Sequence, residues 1–255
     1  MQRNQTTVES VGLFQEIFLA SEDITKCYGS LLKLMRCLEG PVAITGGIAT
    51  SWHLLNKNDT RRKKRRLNDI DVVVEGLSSL RSSLSQDFLI RHFHPYRDQG
   101  RILIQLIDEE YAARIDVFTP TTRTLITRLS DFAVGKMSCK FVSAEDILTK
   151  LLSIIYPATR GEPVEPKYVE DFYLLSTVAD LNIVREIWRE YSKESQPLSF
   201  DEAAEALSLS ITANPNLLRA SRYSQDINQA CSWCRESELF PLAPQSRVYE
   251  ILGYV

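Results

Sequence analysis

The chain has 255 residues, 44% of them hydrophobic and 25% charged, a soluble globular composition that allows one large domain or two modest ones. Its net charge of −3 excludes a global positive field for nucleic acid, so any such contact must be local. Five scattered cysteines fit reduced thiols better than a disulfide framework, and no apolar run approaches the roughly 20 residues that a membrane span requires.

Residues 1–10 are polar and lack the charged-then-apolar layout of a signal peptide, so the expected location is the cytoplasm. Apolar residues then recur at helical spacing over 11–20 and 24–38, with Leu31, Leu32, Leu34 and Met35 as a core stripe. Gly40 and Pro41 stop that region. Residues 41–45 read as a short apolar strand ending in Gly46 and Gly47, and 48–55 as a helix. A glycine pair there leaves backbone N–H groups unobstructed at a helix N-terminus, where phosphate binds readily.

Arg61, Arg62, Lys63, Lys64, Arg65 and Arg66 follow, and six successive basic residues cannot all be buried. This stretch is either a solvated connector or a grip on a triphosphate or polynucleotide, with Arg65 or Arg66 as the main contributor. It ends just before Asp69 and Asp71, which open the β-branched run Val72, Val73, Val74. In a strand, residues i and i+2 share a face, so two such acids can converge on one cation, Mg²⁺ being the hard ion that suits carboxylates. Two acids at a strand start can equally form a solvated turn.

Downstream, 77–85 reads as helical and 88–93 as extended, while 101–107 and 111–118 read as a hairpin turning at Asp108, Glu109 and Glu110. Asp116 lies inside its second arm and shares a face with Arg114, which is placed to neutralise the acids or to meet phosphate. A third carboxylate beside the first two completes a site for two ions. His53, His92 and His94 have no complementary ligand spacing and read as structural or surface residues rather than zinc ligands. Residues 121–142 return to the core through 132–134 and 137–142, and a helix that Ser143 caps follows, with Asp146 three residues on and Lys150 opposite its apolar face. Further amphipathic helices are expected at 167–178, 184–191 and 200–209, and Cys231 and Cys234 read as helix cysteines.

Gly46 and Gly47 opening a helix, Asp69 and Asp71 leading a strand, and Asp116 in a neighbouring strand together resemble the nucleotidyltransferase superfamily related to DNA polymerase β. Within it the pattern is most similar to the AbiEii-like bacterial enzymes, some of which are toxins of type IV toxin-antitoxin systems. Arg65 stands at the arginine of their signature, and residues 143–152 resemble their later lysine-bearing helix, which makes Lys150 a triphosphate or structural contact. Leu67 departs from the pattern, where a hydroxyl residue is common. The resemblance spans about residues 40 to 180.

It implies an α+β nucleotidyltransferase fold, a small mixed sheet flanked by helices over residues 1–142, with a helical region over 143–255. It also implies an enzyme that moves NMP from an NTP to a hydroxyl acceptor with two Mg²⁺ ions. Asp69, Asp71 and Asp116 would be catalytic metal ligands, and Gly46, Gly47, Arg65 and Lys150 nucleotide contacts. The acceptor is tRNA or another RNA held through residues 61–66, a small molecule, or a protein. An antitoxin partner is a further expectation, and a catalytically silent binding or antitoxin-like subunit is the alternative.

Overall fold

The computed structural model describes residues 21–62, 69–94, 102–134, 137–219 and Ile251. The expected helix at 11–20, the basic residues from Lys63 to Arg66, and the pair Cys231 and Cys234 lie outside them. Among the described residues, seven strands and seven α-helices form a mixed α+β arrangement, with five strands in succession and then four helices. The chain divides into two compact units, one comprising Met1–Ala49, Lys64–Val142 and Ala230–Val255, the other Thr50–Lys63 and Ser143–Gln229.

The first unit is built on a seven-stranded sheet: β1 Val42–Ile44, β2 Ile70–Val74, β3 Leu89–Phe93, β4 Ile102–Asp108, β5 Ala113–Phe118, β6 Ser130–Val134 and β7 Met137–Phe141. Its order is β3-β4-β5-β2-β1-β7-β6, with β2 parallel to β5, β1 parallel to β7, and the other neighbours antiparallel. It is larger than the small sheet expected, because two hairpins, β3-β4 and β6-β7, extend it at opposite edges. Alternation divides its faces. Ile70, Val72, Val74, Leu106, Ile115 and Val117 are buried on one, whereas Asp71, Gln105, Arg114 and Asp116 share the other.

Helix α1, Ser21–Arg36, buries Cys27, Leu31 and Leu34, while Leu32 and Met35 are only half-buried. The expected stripe is therefore rotated towards Cys27. The single helix expected at 77–85 is instead a 3-10 turn, Leu77–Ser79, and a four-residue helix α3, Leu84–Asp87. Leu80 between them is extended, drawn into a bridge with Leu38. The β4-β5 turn is fixed from within: Asp108 is fully buried, and its Oδ1 accepts from Lys33 Nζ of α1 at 2.8 Å and from the backbone N–H groups of Glu110 and Tyr111 at 3.2 and 3.4 Å. Lys33 also lies over the Phe88 and Tyr111 rings.

Helix α2, Gly46–Asn56, begins in the first unit, and its residues from Thr50 group with the second. That unit also holds α4 Ala144–Ile155, α5 Pro166–Leu175, α6 Leu181–Tyr191 and α7 Phe200–Ala213. Ser143 caps α4 as its sequence predicts, accepting from the Asp146 N–H at 3.0 Å. The buried Asp146 carboxylate accepts in turn from Ser143 Oγ and Tyr191 Oη, both at 2.6 Å. Trp188, fully buried, packs edge-on against Phe200 and donates to the Pro197 carbonyl at 2.8 Å. Among the described residues no helix is long and apolar enough to cross a membrane.

Asp108→Ala removes the nearer of the two carboxylates that hold Lys33, leaving Glu110 at 3.3 Å, and takes away the acceptor of the turn's two backbone N–H groups. A loss of about 3 kcal/mol in unfolding free energy is expected, the scale for breaking a buried ion pair. Urea unfolding of the variant against wild type measures it.

Candidate functional site

Two backbone relationships bring the acids together. Parallel pairing of β2 with β5 sets Asp71 directly beside Asp116, and Asp69 lies two residues before Asp71, on the same side. Asp69, Asp71 and Asp116 each offer an oxygen within 4.8 Å of the others'. Asp116 is buried, while Asp69 and Asp71 are half-buried. Three carboxylates this close repel one another, and burial raises the cost of their charge.

Arg114 answers part of that repulsion. Its Nη2 donates to Asp69 Oδ2 at 2.5 Å and to Asp116 Oδ2 at 2.9 Å. Burial opposes the guanidinium's charge, but Asp116 and Asp69 outweigh it and hold its pKa above an already high ordinary value. Burial also pushes the Asp116 carboxyl above its usual range, against the downward pull of Arg114 and Gln105. The same ion pair thus leaves both groups raised, because at Asp116 depth outweighs partnership. One guanidinium against three carboxylates leaves the cluster acidic. A set of hard oxygen donors at this spacing, with residual negative charge, fits a divalent cation.

Gln105 is the functional residue that the sequence left unassigned. It faces Asp116 across the β4-β5 pair and donates from Nε2 to Asp116 Oδ1 at 2.7 Å. That bond fixes one carboxylate oxygen and leaves Oδ2 turned to Arg114 and the other acids, the support that a ligating carboxylate commonly has. The signal was present in the alternation of the hairpin. Reading it required the register.

Gly46 closes the other side. Its φ of +64° lies in the left-handed region, and a Cβ there would overlap the Asp71 carboxylate, approaching its Cγ to 2.9 Å. Only glycine meets both demands. Thr45 N–H donates to the Asp71 carbonyl at 2.9 Å, so the start of α2 is held against the acidic strand. The helix begins at Gly46 itself, two residues earlier than its apolar pattern indicates. The start of the helix thus lies against the Asp71 carboxylate.

The remaining expected site residues fall elsewhere. Lys150 lies on α4 in the second unit, half-buried. Arg65 is outside the described residues. Of the basic run, Arg61 is exposed but chelates Asp59, whose pKa falls to about 2 mainly through that contact, and also bonds Thr177 Oγ1 at 2.9 Å. Arg62 departs from the expected exposed loop: its side chain is 12% exposed and bonds Asp171 through Nε at 2.9 Å and Nη2 at 3.2 Å, with Ser51 Oγ as a further partner. An arginine held by a buried carboxylate is structural, so any nucleic-acid grip here falls to the later members of the run.

No protein-family model and no curated protein matches the chain. Among solved structures it is similar to an antigenic nucleotidyltransferase-like protein from Paracoccidioides brasiliensis, at 17% identity and a TM-score of 0.37, over 77% of this chain and 89% of that one.

If the three acids form one cation site, Asp116→Asn lowers the affinity for Mn²⁺ by about tenfold or more, since even residues supporting a ligand act on that scale. Gly46→Ala does the same indirectly, by displacing Asp71. Calorimetric titration of the metal-free protein with Mn²⁺ gives both values, and an unchanged affinity in Asp116→Asn would remove Asp116 from the site.

Proposed function

We propose that the chain is a Mg²⁺-dependent nucleotidyltransferase, passing NMP from an NTP to a hydroxyl acceptor. The observation that carries this reading is the meeting of Gly46 with Asp71: a helix N-terminus suited to phosphate touches a triad of carboxylates suited to divalent cations. The order of motifs described above, glycines, paired acids and third acid, supports it independently.

Asp69, Asp71 and Asp116 would hold one or two ions. When bound, such ions lower the pKa of the attacking hydroxyl and neutralise charge on the leaving pyrophosphate. The chain's own groups do the rest. Backbone N–H groups from Gly46 and Gly47 receive the β- and γ-phosphates at the start of α2. Asp116 lies deepest of the three acids and, in this reading, accepts the hydroxyl proton as the acceptor oxygen bonds the α-phosphorus and the anhydride bond from that phosphorus to the leaving pyrophosphate breaks. Arg114 adds positive charge beside the reacting phosphate. Arg65 is a further phosphate contact in this reading.

RNA, tRNA included, is the acceptor class proposed, because Lys63, Lys64, Arg65 and Arg66 stand immediately before the acids in the chain. A toxin role with an antitoxin partner belongs to the same reading. A second reading, a catalytically silent binding subunit, is favoured by Arg114, whose internal charge lets the acids persist without metal.

Label transfer from each of four α-³²P NTPs with Mg²⁺, to total tRNA and to cell protein, decides between them. Wild type is expected to label RNA, and the Asp69→Ala/Asp71→Ala protein to lose at least about 1,000-fold, several kcal/mol of transition-state stabilisation. Equal labelling by both proteins would sink the assignment; NTP binding without transfer would point to a small-molecule acceptor or a partner-activated enzyme, and absence of NTP binding would favour the silent subunit.

A further inference from the structure

The sheet register carries the polar face beyond the acids. Asp71 in β2 is paired with Asp116 in β5, Asp116 with Gln105 in β4, and Gln105 with His92 in β3. Residues directly opposite one another in a sheet project from the same face. Four polar side chains therefore form one transverse row across four adjacent strands. The register shift between Ile90 and His92 creates its last member, because in an unbroken ladder the partner of Gln105 would be Arg91. His92 is half-buried and stacks on His94, with ring centroids 6.3 Å apart.

The row has a direction. Gly46, where the phosphates are received, follows β1 on one flank of β2, whereas Asp116, Gln105 and His92 extend from the other flank. In an in-line displacement the nucleophile and the leaving group occupy opposite sides of the phosphorus. With pyrophosphate leaving on the Gly46 side, the acceptor hydroxyl arrives over β5, and the rest of the acceptor extends over β4 and β3. Among the described residues β3 is the terminal strand on that side, so the row leads to an edge.

We propose that His92 is an acceptor-contacting, specificity-determining residue, binding the acceptor through a polar group beyond the reacting hydroxyl. This rests on the nucleotidyl-transfer reading. Two strand spacings, roughly 10 Å, separate His92 from Asp116, too far for the reacting oxygen and suited to the next hydrogen-bonding group of a larger hydroxyl compound. Burial, the largest influence, lowers the His92 pKa, which favours the neutral imidazole, able both to donate and to accept. Gln105, tied to Asp116, is the spacer between the two contacts.

The test is steady-state label transfer from α-³²P NTPs to total tRNA and to total cell protein by wild type, His92→Ala and His92→Asn. Mn²⁺ affinity and thermal midpoint serve as controls for folding. The expected result is a five- to tenfold rise in the apparent KM for the labelled acceptor in His92→Ala, the scale of one lost hydrogen bond. The KM for NTP should stay within about twofold, and His92→Asn, which keeps a hydrogen-bonding group, should recover part of the loss. An unchanged acceptor KM, or equal rises for acceptor and NTP, overturns the assignment of His92 while leaving nucleotidyl transfer standing. Absence of transfer by wild type overturns the reading on which it rests.

Discussion

Three carboxylates on one face of a sheet repel, and the site depends on how that repulsion is contained. Asp71 and Asp116 are neighbours through parallel strand pairing, and Asp69 joins them from the approach to β2. Arg114, two residues from Asp116 and on its face, bridges Asp69 and Asp116. The bridge leaves the group net negative. A site with too much negative charge to stand alone, and too little positive charge to be quenched, is poised for a divalent cation.

Everything near the acids holds them in that state. The opposite face of the same strands, Ile70, Val72, Ile115 and Val117, is buried, and a one-residue slip would exchange apolar and acidic sides. The penalty for that exchange secures the register. Asp108 and Lys33 pin the turn that delivers β5, and Gln105 fixes one oxygen of Asp116. Gly46 permits a close approach that any side chain would prevent. The result is an acidic face with a helix N-terminus at one flank and a polar row at the other.

Much of this was legible locally. The two-residue spacing of Asp69 and Asp71, the glycine pair, the β4-β5 hairpin and the shared face of Arg114 and Asp116 all follow from strand alternation and turn chemistry. The Ser143 cap was equally readable, because a cap and its partner are three residues apart. The misses have a common cause. Leu80 is extended by its bridge to Leu38, the α1 stripe turns towards Cys27, and Arg62 is withdrawn from the basic run by Asp171, 109 residues away. In each, a distant partner outweighed a local preference.

The sequence by itself determined which residues of each strand share a face, Asp69 with Asp71 and Arg114 with Asp116, since the period of a strand is a property of the backbone. Beyond the β4-β5 hairpin, tertiary structure alone decided which strands meet. The parallel pairing of β2 with β5, separated by a hairpin, sets Asp71 beside Asp116. The register of β3 on β4 sets His92 in line with Gln105. Such pairings are chosen by the burial of a whole apolar face rather than by the residues that end up adjacent on the polar one. The neighbours that make the site are therefore a consequence of the core on the other side of the sheet.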